Sequence, residues 1–266
     1  VNIGQDCVSP AAHPAFSTPL GLIDFISELR RLSGGKPVGF KLCIGEKSEF
    51  LAICKAMIER SVTPDFIVVD GTEGGTGAAP LEFTDHIGMP LRDGLSFVHS
   101  TLIGLGLRDK IKLGAAGKIT SAFDMVRVMA LGADWCNAAR GFMFAIGCIQ
   151  SQSCHTDRCP VGVATQDPLR QRALVIPDKA ERVKNFHAHT LEALAEVIGA
   201  AGLLHPSEIR AELLHRRVSP TETKNYAELY PAMKDNALLA GTAHDTSLEL
   251  WKSARATHFT PHLQQA

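Results

Sequence analysis

The chain has 266 residues, 45% of them hydrophobic and 21% charged, with a formal net charge of −1 at pH 7. That length suits one large domain or two small ones with a sizeable core, and the even charge balance argues against a nucleic-acid or anionic-membrane partner. No run of about 18 apolar residues appears, so no transmembrane helix is expected, and the opening VNIGQDCVSP has neither the basic start nor the apolar core of a signal peptide.

Seven cysteines, an odd number with no secretory signal, point to a reducing compartment, with the cytoplasm as the expected location. The first residue is Val rather than Met, and the reading expects a piece of a longer chain.

Residues 2–19 are broken by Pro10, Pro14 and Pro19 and read as loop. Thr18 can cap a helix that begins at Pro19, carries Leu22, Phe25, Ile26 and Leu29 on one face, and stops at Gly34 and Gly35. PVGFKLCIG (37–45) reads as a buried strand and 47–60 as a helix. DFIVVD (65–70) is wholly apolar between two aspartates, as a parallel strand covered on both faces should be.

A helix near 91–106 leads to strand IKLGAAG (111–117). Ser121 and Asp124 have capping-box spacing and open a helix that runs to Gly132. DWCNAA (134–139) is the next strand. Four strand–helix repeats in succession predict a parallel α/β fold. From 167 onward the pattern is helical or irregular. An amphipathic helix starts at Pro177, Asp178 and Glu181 and turns Val183, Phe186, Leu191, Leu194, Val197 and Ile198 inward. Residues 205–266 are polar and expected to be peripheral.

Parallel α/β folds collect functional groups at the carboxyl ends of their strands. Lys41 lies inside an apolar strand, where an ammonium needs an anion or an electron-rich partner, unless it snorkels outward. Gly74, Gly75, Thr76 and Gly77 form a loop whose backbone can approach a flat ring closely. It is not a phosphate loop, because no Lys-Ser/Thr pair follows. Gly117 and Lys118 after one strand, and Arg140 and Gly141 after the next, match the phosphate cup that barrels build from their last two strands. His86, His99, His187 and His189 read as surface or core histidines, and Trp135 and Phe142 as core.

Cys148, Cys154 and Cys159 crowd into CIQSQSCHTDRCPVGVATQ (148–166). Thiolates at such spacing suit an iron–sulfur cluster or zinc. Three of them point to a three-iron cluster, or to a four-iron cluster with one iron held otherwise. His155 leaves a Cys3His zinc site open, and unliganded thiols are the third possibility.

Several segments resemble the FMN-binding domain of glutamate synthase: SPAAHPAFSTP (9–19), PVGFKLCIG, DGTEGGTGAAP (70–80), GLRDKIKLGAAGKITSAFDMVRVMALGAD (106–134) and GCIQSQSCHTDRCPVGVATQ (147–166). The resemblance spans roughly residues 5–200 and is most specific in the cysteine string. It implies a (β/α)8 barrel with FMN at its carboxyl end. Residues 37–150 would supply strands five to eight, and the first half would be absent from this chain. In domain terms, 1–166 is a partial FMN-binding barrel with an iron–sulfur loop at 148–159, and 167–266 a helical C-terminal extension.

By the same resemblance, Lys41 lies near flavin and substrate and is the catalytic candidate. Gly74, Gly75, Thr76 and Gly77 flank the isoalloxazine and 2-oxoglutarate. Gly117, Lys118, Arg140 and Gly141 hold the FMN phosphate, and Cys148, Cys154 and Cys159 ligate a 3Fe-4S cluster. Ala116 departs from the family, whose large enzymes tend to carry a second glycine there. No amidotransferase domain is present, and Cys7 lies inside the resembling region, so glutamine hydrolysis is not expected.

The implied function is reduction of 2-iminoglutarate, from 2-oxoglutarate and ammonia, to L-glutamate. Ferredoxin or a nicotinamide-dependent reductase subunit would be the electron donor, and a separate amidotransferase the ammonia source. The alternatives are another FMN-dependent barrel acting on a different amino or hydroxy acid, or a non-catalytic half-barrel that binds phosphate or metal.

Overall fold

The computed structural model describes residues 12–74 and 82–260, and the fold is α/β. The elements begin with α1 (Pro19–Leu32), β1 (Gly39–Cys43), α2 (Lys47–Arg60), β2 (Phe66–Asp70), α3 (Leu91–Gly104), β3 (Lys112–Ala116), α4 (Ala122–Ala130) and β4 (Trp135–Asn137). They continue with α5 (Ala139–Ala145), α6 (Pro168–Gln171), α7 (Ile176–Ala200), β5 (His215–Arg217), β6 (Thr223–Asn225), α8 (Tyr226–Leu229) and α9 (Asp245–Ser253). The described residues divide into two compact units: 12–39, 46–65 and 244–260 belong to one, and 40–45 and the described part of 66–243 to the other. Among the described residues no helix is long and apolar enough to cross a membrane.

In the first unit, α1 starts as its sequence dictates. The Thr18 hydroxyl accepts the Gly21 N–H at 3.0 Å and Pro19 occupies the first turn, where its missing N–H costs nothing. Leu22, Ile23 and Ile26 are buried on the α1 stripe, and α1 packs on α2. Arg30 donates to Asp65 at 2.9 Å and to the Thr63 carbonyl at 2.8 Å, and the Val38 N–H donates to Asp65 at 2.7 Å. The chain comes back to this unit at its far end: the Leu20 N–H donates to the Ala256 carbonyl, and the Lys55 ammonium lies over the Trp251 ring.

The second unit is built on a parallel four-stranded sheet in the order β1-β2-β3-β4. Strand alternation separates its faces. Ile67, Val69, Leu113 and Ala115 share one face and are fully buried, with α3 packed on β2 and β3 and α4 packed on β4. Phe66 and Trp135 meet edge-to-face on the other, where the Trp135 ring lies over Gly114.

The predicted capping box of α4 is present: Ser121 Oγ accepts the Asp124 N–H and Asp124 accepts the Ser121 N–H. Ala122, Val126 and Ala130 of α4 form an apolar cluster with Leu194 and Ile198 of α7 and with Ile209. Leu191, expected inward, is instead 44% exposed. The buried seam of α7 ends on Leu194 and Ile198, and Leu191 falls to its side; Thr190, beside it, bonds back to the Phe186 carbonyl.

The C-terminal region departs most from expectation. β5 and β6 pair as an antiparallel hairpin. Residues 226–238 are not peripheral: Tyr226, Ala237 and Leu238 are buried. Their backbone closes the end of α3, with the Met233 N–H donating to Ser100 Oγ, Asn236 N–H to the Ile103 carbonyl and Leu238 N–H to the Gly104 carbonyl, at 2.9–3.1 Å. The last two supply partners to carbonyls that a helix end leaves orphaned.

Candidate functional site

Register fixes what meets at the carboxyl ends of the strands. Asp70 lies beside Ala116, and Ala116 beside Asn137. Lys41, the third residue of β1, finds its anion in Asp70: Nζ stands 2.6 Å from Oδ2. The lysine side chain is 57% exposed and the aspartate 19%, so the ammonium keeps an open side while its partner is fixed. Burial raises the Cys43 thiol above its ordinary range, and the Asp70 charge adds to that.

The loop leaving β2 is closed at its base. The Gly71 N–H donates to the Ala116 carbonyl at 2.8 Å, Thr72 N–H to Met89 at 3.0 Å, Thr72 Oγ1 to Ile87 at 2.7 Å, and Asp85 N–H to Thr72 at 3.0 Å. Gly74 backs onto the Asp70 carboxylate so closely that a Cβ would collide with it. Gly75, Thr76 and Gly77 lie outside the described residues. Glu73 accepts the N–H of Leu91, the first residue of α3, on both carboxylate oxygens. A negative charge is favoured at a helix N-terminus.

Gly117 carries a φ of +142°, and a Cβ there would come within 3.2 Å of the Gly71 nitrogen; glycine alone suits both constraints. Lys118 follows with φ +47° and sets its ammonium 3.0 Å from both carboxylate oxygens of Asp85. Arg140 lies half-buried in the first turn of α5, directly after β4. Gly141 is buried, and the ring of Phe186 fills the place of its missing side chain. The fold thus brings Lys41, Gly74, Gly117 and Lys118 to the ends of three adjacent strands, with Arg140 behind the fourth. Two members were missing from the sequence reading, Asp70 and Asp85. The demand of Lys41 for an anion was the available signal for the first.

The cysteine loop is tightly wound: Gly147, Gln150, Gln152, Asp157 and Gly162 all have positive φ. Asp157 ties it together, its carbonyl accepting Thr165 Oγ1 at 2.5 Å and its carboxylate accepting the Gln166 N–H at 2.6 Å. Cys148 and Cys154 are half-buried and Cys159 is buried. Burial pushes the Cys159 thiol up, but the backbone N–H groups of Ala164, Val161, Val163 and Gly162 outweigh it and hold the thiol below its ordinary range. A thiolate is thereby favoured. Among the described residues no three or more His, Cys, Asp or Glu side chains are gathered around a single metal position.

A cavity of about 1,090 Å³ lies at the opposite end of the sheet, where β3 and β4 begin at Lys112 and just after Asp134. Arg108 on its wall donates to His99 Nδ1, to the Ile111 and Gly132 carbonyls and to Asp134, all at 2.8–3.0 Å. Its guanidinium is engaged by the fold, so size alone does not make this cavity the chemical centre.

Residues 1–204 match the family model described as a conserved region in glutamate synthase. The chain belongs to the glutamate synthase family. The glutamate synthase large subunit-like protein YerD of Bacillus subtilis is 41% identical over 212 residues, 80% of this chain and 40% of that protein. The archaeal glutamate synthase (NADPH) of Methanocaldococcus jannaschii is 33% identical over 201 residues, 75% of this chain and 39% of that one. The chloroplastic ferredoxin-dependent glutamate synthase of Spinacia oleracea is 33% identical over 220 residues, 77% and 13% respectively.

The chain therefore spans two fifths or less of the length of these relatives. Among solved structures, a mutant flavocytochrome b2 superposes at a TM-score of 0.43 and 15% identity over 70% of this chain and 37% of that one, too slight a likeness to carry an argument. The region shared with the glutamate synthase family contains every strand-end residue above and all three loop cysteines, and residues 205–243 lie beyond it.

Proposed function

We propose that these βα units are the second half of an FMN-binding (β/α)8 barrel, and that the protein is a glutamate synthase-like oxidoreductase. It would reduce 2-iminoglutarate, formed from 2-oxoglutarate and ammonia, to L-glutamate, with one hydride and one proton added across the C=N bond. The observation that carries this reading is the convergence of Lys41, Gly74, Gly117 and Lys118 on the carboxyl ends of three neighbouring parallel strands in a family member. Two cations and two close backbone approaches fit a ligand with a flat ring and an anionic tail.

FMN, when bound, supplies the hydride chemistry, and the chain supplies position and electrostatics. Gly74 leaves room beside Asp70, and with Gly75, Thr76 and Gly77 it is proposed to serve the isoalloxazine and 2-oxoglutarate. Gly117, Lys118, Arg140 and Gly141 form the phosphate end, where Lys118 and Arg140 offset the charge and Gly117 brings backbone close. Lys41, oriented by Asp70, presents its open side to negative charge on the ring or to a substrate carboxylate, which makes it the group for binding and polarising the reactants.

Cys148, Cys154 and Cys159 would hold a three-iron cluster, which relays single electrons when bound; the lowered Cys159 thiol supports a ligand role. The donor would be ferredoxin or a nicotinamide-dependent reductase, the ammonia would come from a separate amidotransferase, and the site of action would be the cytoplasm.

An anaerobic visible spectrum of the purified chain, with iron, zinc and acid-labile sulfide assayed on the same sample, tests this. Flavin bands and about three irons per chain are expected. Zinc in place of iron would point instead to a Cys3His site with His155. A colourless, metal-free chain that takes up no added FMN would overturn the reading for this chain.

A further inference from the structure

Both lysines at the carboxyl end of the sheet are engaged by acids of one connection: Lys41 by Asp70, where the connection begins, and Lys118 by Asp85. The two pairs differ in kind. Asp70 is the last residue of β2, 19% exposed and held by strand register. Asp85 and Lys118 are 51% and 44% exposed, sit on separate loops 33 residues apart, and both have left-handed backbone, with φ of +67° and +47°. Exposed ion pairs between loops are weak and screened by salt. Glu73, the remaining described acid of the segment between Asp70 and Asp85 apart from the exposed Glu82, is already occupied at the Leu91 N–H.

We infer that Asp85 is a competing anion that tunes flavin-nucleotide affinity: its carboxylate occupies the Lys118 ammonium that the phosphate of a flavin nucleotide needs, and it must be displaced on binding. This rests on the FMN reading above. A carboxylate that accepts on both oxygens presents to Lys118 much of what a phosphate edge would present. A ligand with a dianionic phosphate outcompetes it. A dephosphorylated ligand has nothing to offer Lys118 and leaves the pair closed. Asp85 therefore imposes a displacement cost on a phosphate-bearing ligand that a dephosphorylated one does not meet, and so narrows the margin in affinity between the two.

The test is the dissociation constant of the full chain for FMN and for riboflavin, from quenching of flavin fluorescence, in wild type, Asp85→Asn, Lys118→Met and the double variant. Asp85→Asn is expected to tighten FMN by about three- to fivefold, the scale of an exposed ion pair, and to leave riboflavin within about twofold. Lys118→Met should weaken FMN and abolish the gain from Asp85→Asn. Asp85→Ser provides a second uncharged variant with the same expected direction.

Unchanged FMN affinity in both Asp85 variants, or an equal shift for FMN and riboflavin, overturns the inference while leaving the flavin site standing. Failure of wild type and variants alike to bind FMN overturns the flavin reading and the inference with it.

Discussion

Buried cysteines in this chain follow two rules. Burial pushes the Cys54 thiol up and carries the half-buried Cys136 up to about 12. Cys159 is just as hidden from solvent, but its surrounding N–H groups reverse the sign. His99 is a third case, with a measurable consequence. Burial, and then the Arg108 charge, lower it from 6.5 to about 4, against the weaker pull of Asp134. Nδ1 accepts from Arg108 Nε, so the neutral ring carries its proton on Nε2.

The unfolded chain takes up a proton below about pH 6.5 that the folded chain refuses until about pH 4. The stability from this group is therefore complete above pH 6.5 and lost progressively down to pH 4, with about 2 kcal/mol gone at pH 5. His99→Gln keeps an acceptor for Arg108 and should flatten that slope. Urea unfolding at pH 7 and pH 5 checks it, and equal pH dependence in wild type and variant would sink the assignment. Asp24, Asp65 and Asp124 are held below their ordinary 3.8, so their contributions fail only in a more acidic window.

Among elements, the turn from α4 to β4 is the most tightly specified. Gly132 has φ +104°, and a Cβ there would overlap the His99 ring. Gly132→Ala combines backbone strain with a collision and should cost about 2–4 kcal/mol, read as a lowered midpoint in thermal or urea unfolding; a loss under about 0.5 kcal/mol would contradict the packing described.

The elements that the sequence announced are those whose signals are local. Thr18 with Pro19, the Ser121 and Asp124 pair, and the apolar run 66–69 each specify structure within a few residues. Lys41 advertised the need for a counter-ion, yet Asp70 could be found only through the register that sets β1 beside β2. The β5–β6 hairpin pairs His-Arg-Arg with Thr-Lys-Asn, three residues each and mostly exposed, so no apolar alternation foretold it. Asp85 and Lys118 meet through two left-handed residues, a conformation that neither side chain advertises.

At the scale of the molecule, sequence order and structural order disagree. One unit gathers three separate stretches of chain, the other two. The match to the glutamate synthase region stops at residue 204, inside the second unit. Yet the last turn of α3, within that region, takes hydrogen bonds on its carbonyls from Asn236 and Leu238, beyond it, and Met233 bonds the Ser100 hydroxyl just before that turn. A chain cut after residue 204 should lose hydrogen-exchange protection at Leu105, Gly106 and Leu107 and unfold at lower urea than the full chain, whereas unchanged protection would mean that α3 holds its end unaided.

Kinship and hydrogen bonding therefore draw different borders here. The stretch that matches the family is tied by backbone bonds to residues outside it, and a change near residue 236 should be felt in α3, more than a hundred residues upstream.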